Sequence, residues 1–369
     1  MIECRTIKEL CSGVVDCPHS TPTWTAEGKI VVRNNNIKNG RIDFSSPSYT
    51  DDEHYQQRIK RATPQGGDII ITREAPMGEV GMIPEGIVCC LGQRMVLLRA
   101  NPDICDNYYL LYSLQSRYVQ HQISWSEGTG TTVSNLRIPH LEQLKIPYLP
   151  LSQQRQVSSV LRCLEEKIKH NRVINDNLQQ QAQAIYASMF VDNAEPTWKQ
   201  GHLSDFVIVR YGKDHKKLAD GIYPVYGSGG IMRHVERPLY DKESVLIPRK
   251  GTLNNVMYAN QPFWSVDTMF YTEMRLPNVA KFVYHFVKAK DLAAMNAGSA
   301  VPSMTTDILN AMEIAIPPAT VLEEFESLVA PMYRAMQGND AQSKKLADLR
   351  NALLPKLMSG EIDVSDIQL

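Results

Sequence analysis

The 369-residue sequence predicts an α+β protein: two pseudo-symmetric units joined by two long helices that pair as an antiparallel coiled coil. Three observations predict it. The stretch from Gly130 to Phe190 recurs from Gly298 to Met358 without a gap, at a constant shift of 168. Val133 falls on Val301, Leu141 on Leu309, Leu144 on Met312, Ile146 on Ile314, Pro150 on Pro318 and Leu178 on Leu346. Identity is low, yet the apolar pattern persists for about sixty positions, and an internal repeat governs the reading of everything around it. Each copy is preceded by short β-rich runs with small helices, and each ends in a long apolar seam of helical period.

The first unit opens with CRTIKELCS and the second with WKQGHLSDFV; Ile7 and Leu10 match Leu203 and Phe206. The shift between copies falls from 196 at these starts to 176 near Arg73 and then to 168, which places most of the extra length of the first unit in Ser20–Lys60. That segment is rich in Asn, Gly, Ser and Thr and predicts loops around short strands. Strands follow at Asp68–Arg73, Glu79–Ile83 and Met95–Arg99, with a turn at Pro76. In the second unit Arg249 answers Arg73, Val256 answers Val80 and Met269 answers Met95. Tyr108–Tyr118 and Val279–Ala294 read as short helices.

The seam of the first long helix runs through Val157, Leu161, Leu164, Ile168, Asn171, Ile174, Leu178, Ile185 and Met189. The second runs through Phe325, Val329, Met332, Met336, Asn339, Leu346, Leu349, Leu353 and Leu357. Steps of three and four give a narrow stripe that needs a partner. Antiparallel pairing about a pseudo-two-fold axis brings Asn171 and Asn339 together, and polar residues at such positions fix register. Ser152 and Thr320 are the predicted N-caps, and Gly338-Asn-Asp the predicted break or kink in the second helix.

The net charge is −1, so any nucleic-acid binding must come from local patches; residues 1–150 are near neutral and 200–318 carry a small positive excess. The seven cysteines, with Cys89 and Cys90 adjacent and no Cys-x-x-Cys pair, argue for buried free thiols in a reducing cytoplasm rather than zinc or disulfides. No apolar run approaches membrane-spanning length, and the first ten residues do not read as a signal peptide. Phosphate-loop, HExxH and dinucleotide-binding motifs are missing. Gly128-Thr-Gly-Thr-Thr lacks the lysine and reads as a turn.

What remains is a set of polar and basic residues on strand–turn segments, duplicated with variation. In the first unit these are Arg33, Asn34, Asn35, Asn36, Arg41, Arg73, Arg94, Thr131 and Thr132. In the second they are Tyr226, Ser228, Arg233, His234, Arg249, Lys250, Asn254 and Asn255. Arginine and asparagine match guanine and adenine edges in the major groove.

Taken together, GDIIITREAPMGEVGMIPEG with CCLGQRMVLL, YPVYGSGGI with LIPRKGTLNNVMYANQPFWSVDTMFY, and the two IPYLP and IAIPP junctions into helices resemble the specificity subunit of a type I restriction-modification system. The resemblance spans essentially the whole chain. It implies two target recognition domains, 1–150 and 193–318, alternating with helical spacers at 151–192 and 319–369. It implies that each domain reads half of a bipartite double-stranded DNA target and that the helices dock two methyltransferase subunits, joined by restriction and translocase subunits. S-adenosylmethionine, ATP and Mg²⁺ then belong to those partners, and this chain is non-catalytic, without cofactor or membrane. Three rivals stand beside it: a modification-only system, a pseudo-dimeric scaffold that binds no DNA, and a hydrolase built from scattered Ser, His and Asp. The duplication argues against the last.

Overall fold

The computed structural model describes residues 3–38, 40–125, 135–295, 303–362 and 364. The chain divides into two compact units: Met1–His170 with Gln342–Leu369, and Asn171–Ala341. Each unit therefore takes one recognition-type domain and half of each long helix.

In the first unit an antiparallel ribbon, Cys4–Thr6 against Lys145–Pro147, joins the start of the domain to its end. The helical turn Ile7–Leu10 follows, and Thr6 and Glu9 cap it reciprocally: the Thr6 hydroxyl accepts from the Glu9 amide at 3.2 Å and the Glu9 carboxylate accepts from the Thr6 amide at 2.6 Å. Ile7 and Leu10 thereby point into the core. A four-stranded sheet runs in the order Cys11–Asp16, Met95–Ala100, Ile69–Thr72, Val80–Met82. Ile69, Ile70 and Ile71 are buried without alternation, as in a strand covered on both faces. Ser48–Thr50, Lys29–Val32 and Cys89–Leu91 form a three-stranded sheet whose last pair is parallel.

The second unit repeats this plan. Its closing ribbon is Lys199–His202 against Glu313–Ile316, and its helical turn is Leu203–Phe206, where Asp205 accepts from the His202 amide at 2.8 Å. Its four-stranded sheet runs Val207–Tyr211, Met269–Met274, Ser244–Pro248, Met257–Ala259. Gly230–Val235, Asp220–Gly227 and Trp264–Ser265 form the three-stranded sheet, the last pair again parallel. The helix Asn107–Gln115 of the first unit corresponds to Ala280–Lys288 of the second; both are shorter than the spans read from sequence.

The Ser20–Lys60 extension becomes a 3₁₀ turn at Asn34–Asn36, a hairpin of Ile37–Lys38 with Arg41–Ile42, and the helix Asp52–Arg58. Buried Arg58 pins it by donating to the carbonyls of Leu91 (2.7 Å), Ser20 (2.9 Å) and Pro18 (3.3 Å). These bonds satisfy a charge that would otherwise be costly inside. Cysteines 17, 89, 90 and 105 are buried and free, whereas Cys4 and Cys163 are exposed. Burial pushes the Cys89 thiol up to about 12.

The two long helices are Leu151–Ala187, followed by a π-helical turn at Ser188–Asp192, and Ala319–Met358. The second is unbroken through Gly338, because one glycine costs a helix only about 1 kcal/mol and the seam on either side of it is packed. The expected caps also move: the helices begin at Leu151 and Ala319, and the carbonyls of Pro150 and Pro318 accept from Gln154 (3.0 Å) and Leu322 (3.2 Å). Ser152 and Thr320 lie inside the first turn.

Pairing within each unit is antiparallel. In the first, Val157 and Leu161 pack with Leu357, Met358, Leu353 and the domain residues Tyr109 and Tyr112, and Arg350 donates to Glu165 at 3.0 Å. In the second, Ala182, Tyr186 and Phe190 meet Phe325, Val329 and Tyr333, with Ile185, Met189, Met332 and Met336 against them. Leu164, Leu178 and Leu346 are half-buried and Ile168 is buried. Two predicted seam residues are corrected: Ile174 and Leu349 are 43% and 47% exposed. Asn175 and Arg350, one residue on, take the inward positions, because the 3.5-residue repeat sets which side chain faces the partner whatever its polarity. Asn171 donates to the Asn339 carbonyl at 3.3 Å, Asn339 to the Asn175 side-chain oxygen at 2.8 Å, and Asn175 to Asp340 at 2.8 Å.

Candidate nucleic-acid interface

Arg73 and Arg249 each follow the strand at the centre of a four-stranded sheet. Their backbones do the same work: the Arg73 amide donates to the Arg94 carbonyl (2.8 Å) and its own carbonyl accepts from Leu136 (3.0 Å), while Arg249 donates to Thr268 (2.9 Å) and accepts from Met304 (2.9 Å). Their side chains differ. The Arg73 guanidinium donates to the Leu136 carbonyl at 3.0 Å, Asp16 at 3.2 Å and Asn135 at 3.3 Å, and its side chain is only 13% exposed. It is drawn into the fold and removed from the set of groups free to meet DNA. Arg249 instead lies over the ring of Tyr211, 5.3 Å from its centroid, with one donation to the Asp267 carbonyl at 3.4 Å.

In the first domain a cleft of about 480 Å³ is lined by Arg33, Asn34, Asn35, Arg94, Trp24 and Gln93, among others. Four predicted residues from distant chain positions thus share one concavity. The Asn34–Asn36 turn places the first three, and Asn36 holds that turn by accepting from the Arg33 amide at 2.9 Å. Arg33 stacks over Trp24 at 5.1 Å. Glu74, next to the lining residue Ala75, ties two cleft residues together: its carbonyl accepts from Asn34 at 2.8 Å, and its carboxylate meets Asn135 at 2.6 Å and Arg94 at 3.3 Å. Arg33 and Asn35 are exposed, and Arg33 also donates to the Ser48 hydroxyl at 3.4 Å. Arg41 points elsewhere, to the Glu165 carbonyl of the long helix at 3.5 Å. Thr131 and Thr132 lie outside the described residues, as do Gly128–Val133 and the start of the second copy.

In the second domain the hairpin of Asp220–Gly227 and Gly230–Val235 carries Tyr226, Ser228, Arg233 and His234. The Asn255 amide donates to the Ser228 carbonyl at 2.8 Å, which brings the turn after Arg249 and Lys250 against the hairpin tip. Asn254 is exposed but engaged within the domain, donating to Asp291 at 3.0 Å and accepting from Ala293 at 2.9 Å. Arg233 is likewise held, by the Leu218 carbonyl (2.9 Å) and Asp220 (2.8 Å). Tyr226 packs edge-on to Phe263, and burial raises its hydroxyl pKa. His234 and Lys250 remain exposed.

Sequence reasoning missed Lys213, Lys216 and Lys217, all exposed on the loop after Val207–Tyr211. That loop is pinned to the sheet by the Lys213 amide on Ser265 (2.8 Å) and the Trp264 indole on the Lys213 carbonyl (2.8 Å). The local run KDHKK was the available signal. Trp24 and Gln93 had none, since their place in the cleft depends on chain-distant neighbours. Among the described residues no helix is long and apolar enough to cross a membrane.

A family model described as the type I restriction modification DNA specificity domain matches residues 23–180 and again 195–323. The chain is 23% identical over 345 residues to the type I restriction enzyme MjaIX specificity subunit of Methanocaldococcus jannaschii, covering 82% of this chain and 79% of that one. It is 24% identical over 278 residues to a putative type I specificity subunit of Mycoplasma genitalium, covering 69% and 70%. Its fold is similar to the crystal structure of a type I restriction-modification S subunit from M. genitalium, with a TM-score of 0.59 at 19% identity over 97% of this chain and 96% of that one. Two family domains, each with a polar and cationic surface on the same scaffold, identify the chain as a member of the type I restriction-modification specificity-subunit family, a DNA-recognition component carrying two recognition domains.

Proposed function

We propose that each domain reads one half of a bipartite, gapped double-stranded DNA target, that the long helices set the gap, and that they dock two methyltransferase subunits, with restriction and translocase subunits joining the full complex. One observation carries this reading. The helices repeat at a constant shift of 168, whereas the surfaces before them have diverged, an asparagine–arginine cleft in one domain and a lysine-flanked hairpin in the other. Constant spacing with variable readers is what a two-part target with an unread gap requires, and unlike surfaces imply unlike half-sites. A helix of 37 residues spans ~56 Å at 1.5 Å per residue, or roughly 16 base-pair steps. That suffices to hold two readers about one DNA turn apart. Base flipping and methyl transfer fall to the partner subunits.

Methylome sequencing of a host carrying this chain with its methyltransferase partner tests the reading. A methyladenine motif in two unlike parts separated by a fixed unread gap is expected. A continuous motif, or none with the partner present, overturns it.

A further inference from the structure

We propose that the hairpin tip of the second domain reads thymine: Ile231 and Met232 contact thymine 5-methyl groups in the major groove of one half-site, while Lys213, Lys216 and Lys217 meet the flanking phosphates. This rests on the DNA-recognition reading above and adds to it the kind of base and the side chains that read it.

Ile231 and Met232 are 53% and 62% exposed, on consecutive residues directly after the hairpin turn. Apolar side chains of this size stabilise a protein when buried, yet both stand in water at the tip. The backbone is shaped to hold them there. The strand register shifts between Val225 and Tyr226, so that Tyr226 pairs with Ile231 and Gly227 with Gly230. Gly230 takes φ +114°, and any side chain at Gly227 would meet the Met232 sulfur at 2.5 Å. Such a φ is open to glycine and strained for other residues.

The surroundings say what covers the pair. The loop bearing the three lysines is bonded through Lys213 to Ser265, whose strand neighbour is Tyr226, the partner of Ile231. The Asn255–Ser228 bond likewise brings the turn that follows Arg249 and Lys250 to the hairpin tip. Asp214 is the one acid inside the lysine loop, and it accepts from the Lys216 amide at 3.1 Å; Asp220 is neutralised by Arg233 at 2.8 Å. Asp267 is exposed beside Arg249, and after burial the Asp340 carboxylate contributes to the raised Tyr226 pKa. The cations around the pair nevertheless outnumber the acids, so a ligand anionic at its edges and apolar at its centre fits. A two-stranded ribbon fits the major groove, and the apolar group displayed there between phosphates is the thymine methyl.

The test uses the reconstituted complex of this chain with its methyltransferase subunits, on duplexes carrying its motif. Replacing thymine by uracil keeps the pairing edges and removes only the methyl group. At the thymines read by the tip, uracil is expected to weaken wild-type binding roughly fourfold per methyl, the ratio for one buried CH₂-sized group at ~0.8 kcal/mol. The double variant Ile231→Ala, Met232→Ala is expected to lose this sensitivity and to relax the motif at A·T positions in one half-site only. Ile222→Ala, an exposed apolar change on the same hairpin away from its tip, is the control expected to keep the wild-type motif.

Insensitivity of the wild type to uracil throughout both half-sites overturns the proposal, as does full stringency in the double variant or relaxation by Ile222→Ala. A double variant that keeps its motif but no longer co-purifies with the methyltransferase makes the tip a protein contact, which also overturns it. Failure of the wild-type complex to select any two-part duplex is a distinguishable result: it defeats the DNA-recognition reading itself, and this assignment with it.

Discussion

Arg73 and Arg249 occupy matching places, but one is a fold residue and the other faces outward. Arg73→Ala removes three hydrogen bonds and leaves the Asp16 carboxylate with the His19 ring, at 2.9 Å, as its remaining side-chain partner. We expect a loss of about 2–4 kcal/mol in domain stability, read by urea denaturation, because a charged donor is taken from three acceptors and a largely buried carboxylate loses its guanidinium partner. Arg249→Ala breaks one long hydrogen bond and a ring stack; stability should change by less than about 1 kcal/mol, the range for exposed contacts, while DNA binding weakens. If Arg249 reads a base, the loss is about 1–3 kcal/mol and specificity relaxes at one position. If it meets phosphate, all sequences weaken alike and the salt slope falls by about 0.9. A binding titration at several salt concentrations separates the two, and unchanged DNA binding would remove Arg249 from the interface.

At the scale of elements, the second domain is fastened to the helix pair by a buried polar cluster. His285, on the helix Ala280–Lys288, meets Gln183 of the first long helix at 2.7 Å and Tyr333 of the second at 2.9 Å. Lys281, one turn earlier, pairs with Glu326 at 2.7 Å and Glu243 at 3.1 Å. Burial lowers the His285 pKa to about 4. Between the unfolded value of about 6.5 and this folded value, the unfolded chain takes up a proton that the folded chain refuses. Stability should thus fall as pH drops from about 6.5 to 4, by up to about 3 kcal/mol, and be unaffected by this group above that window. His285→Gln should flatten that part of the profile in denaturation experiments at pH 7 and 5; an unchanged slope would show that His285 is not its source. Removing one heptad from each long helix shortens the span by ~10.5 Å, or about three base-pair steps. The unread gap in the methylation motif should shorten accordingly with both half-sites intact, and altered half-sites would refute the helices as spacer.

For the whole molecule, one plan was used twice: closing ribbon, capped turn, four-stranded sheet, three-stranded sheet, helix, long helix. Divergence is confined to what this scaffold presents, chiefly the Ser20–Lys60 extension pinned by Arg58. With a net charge of −1, affinity for DNA depends on these local surfaces rather than on the field of the chain. Exchanging residues 193–318 for the corresponding domain of a relative with a different target should therefore replace one half-site and leave the other and the gap unchanged. Methylome sequencing reads this directly.

The sequence by itself determined the duplication, the α+β class, the strands that follow Asp68 and Glu79, and two helices whose seams face each other. Repeat and period are properties of neighbouring residues and survive divergence, because each copy must bury the same stripe. The symmetry of the repeat alone sets the mid-seam asparagines opposite each other. Tertiary packing was needed to show that Asn175 and Arg350, not Ile174 and Leu349, face the partner helix, and that Arg73, Arg233 and Asn254 are engaged by hydrogen bonds within their own domains. It was needed too for the cleft shared by Trp24, Asn35 and Arg94 and for the exposure of Ile231 and Met232 at the hairpin tip. The reason is physical: apolar periodicity is written along the chain, whereas the engagement of a polar group depends on donors and acceptors that arrive from distant segments only when the sheets and helices close.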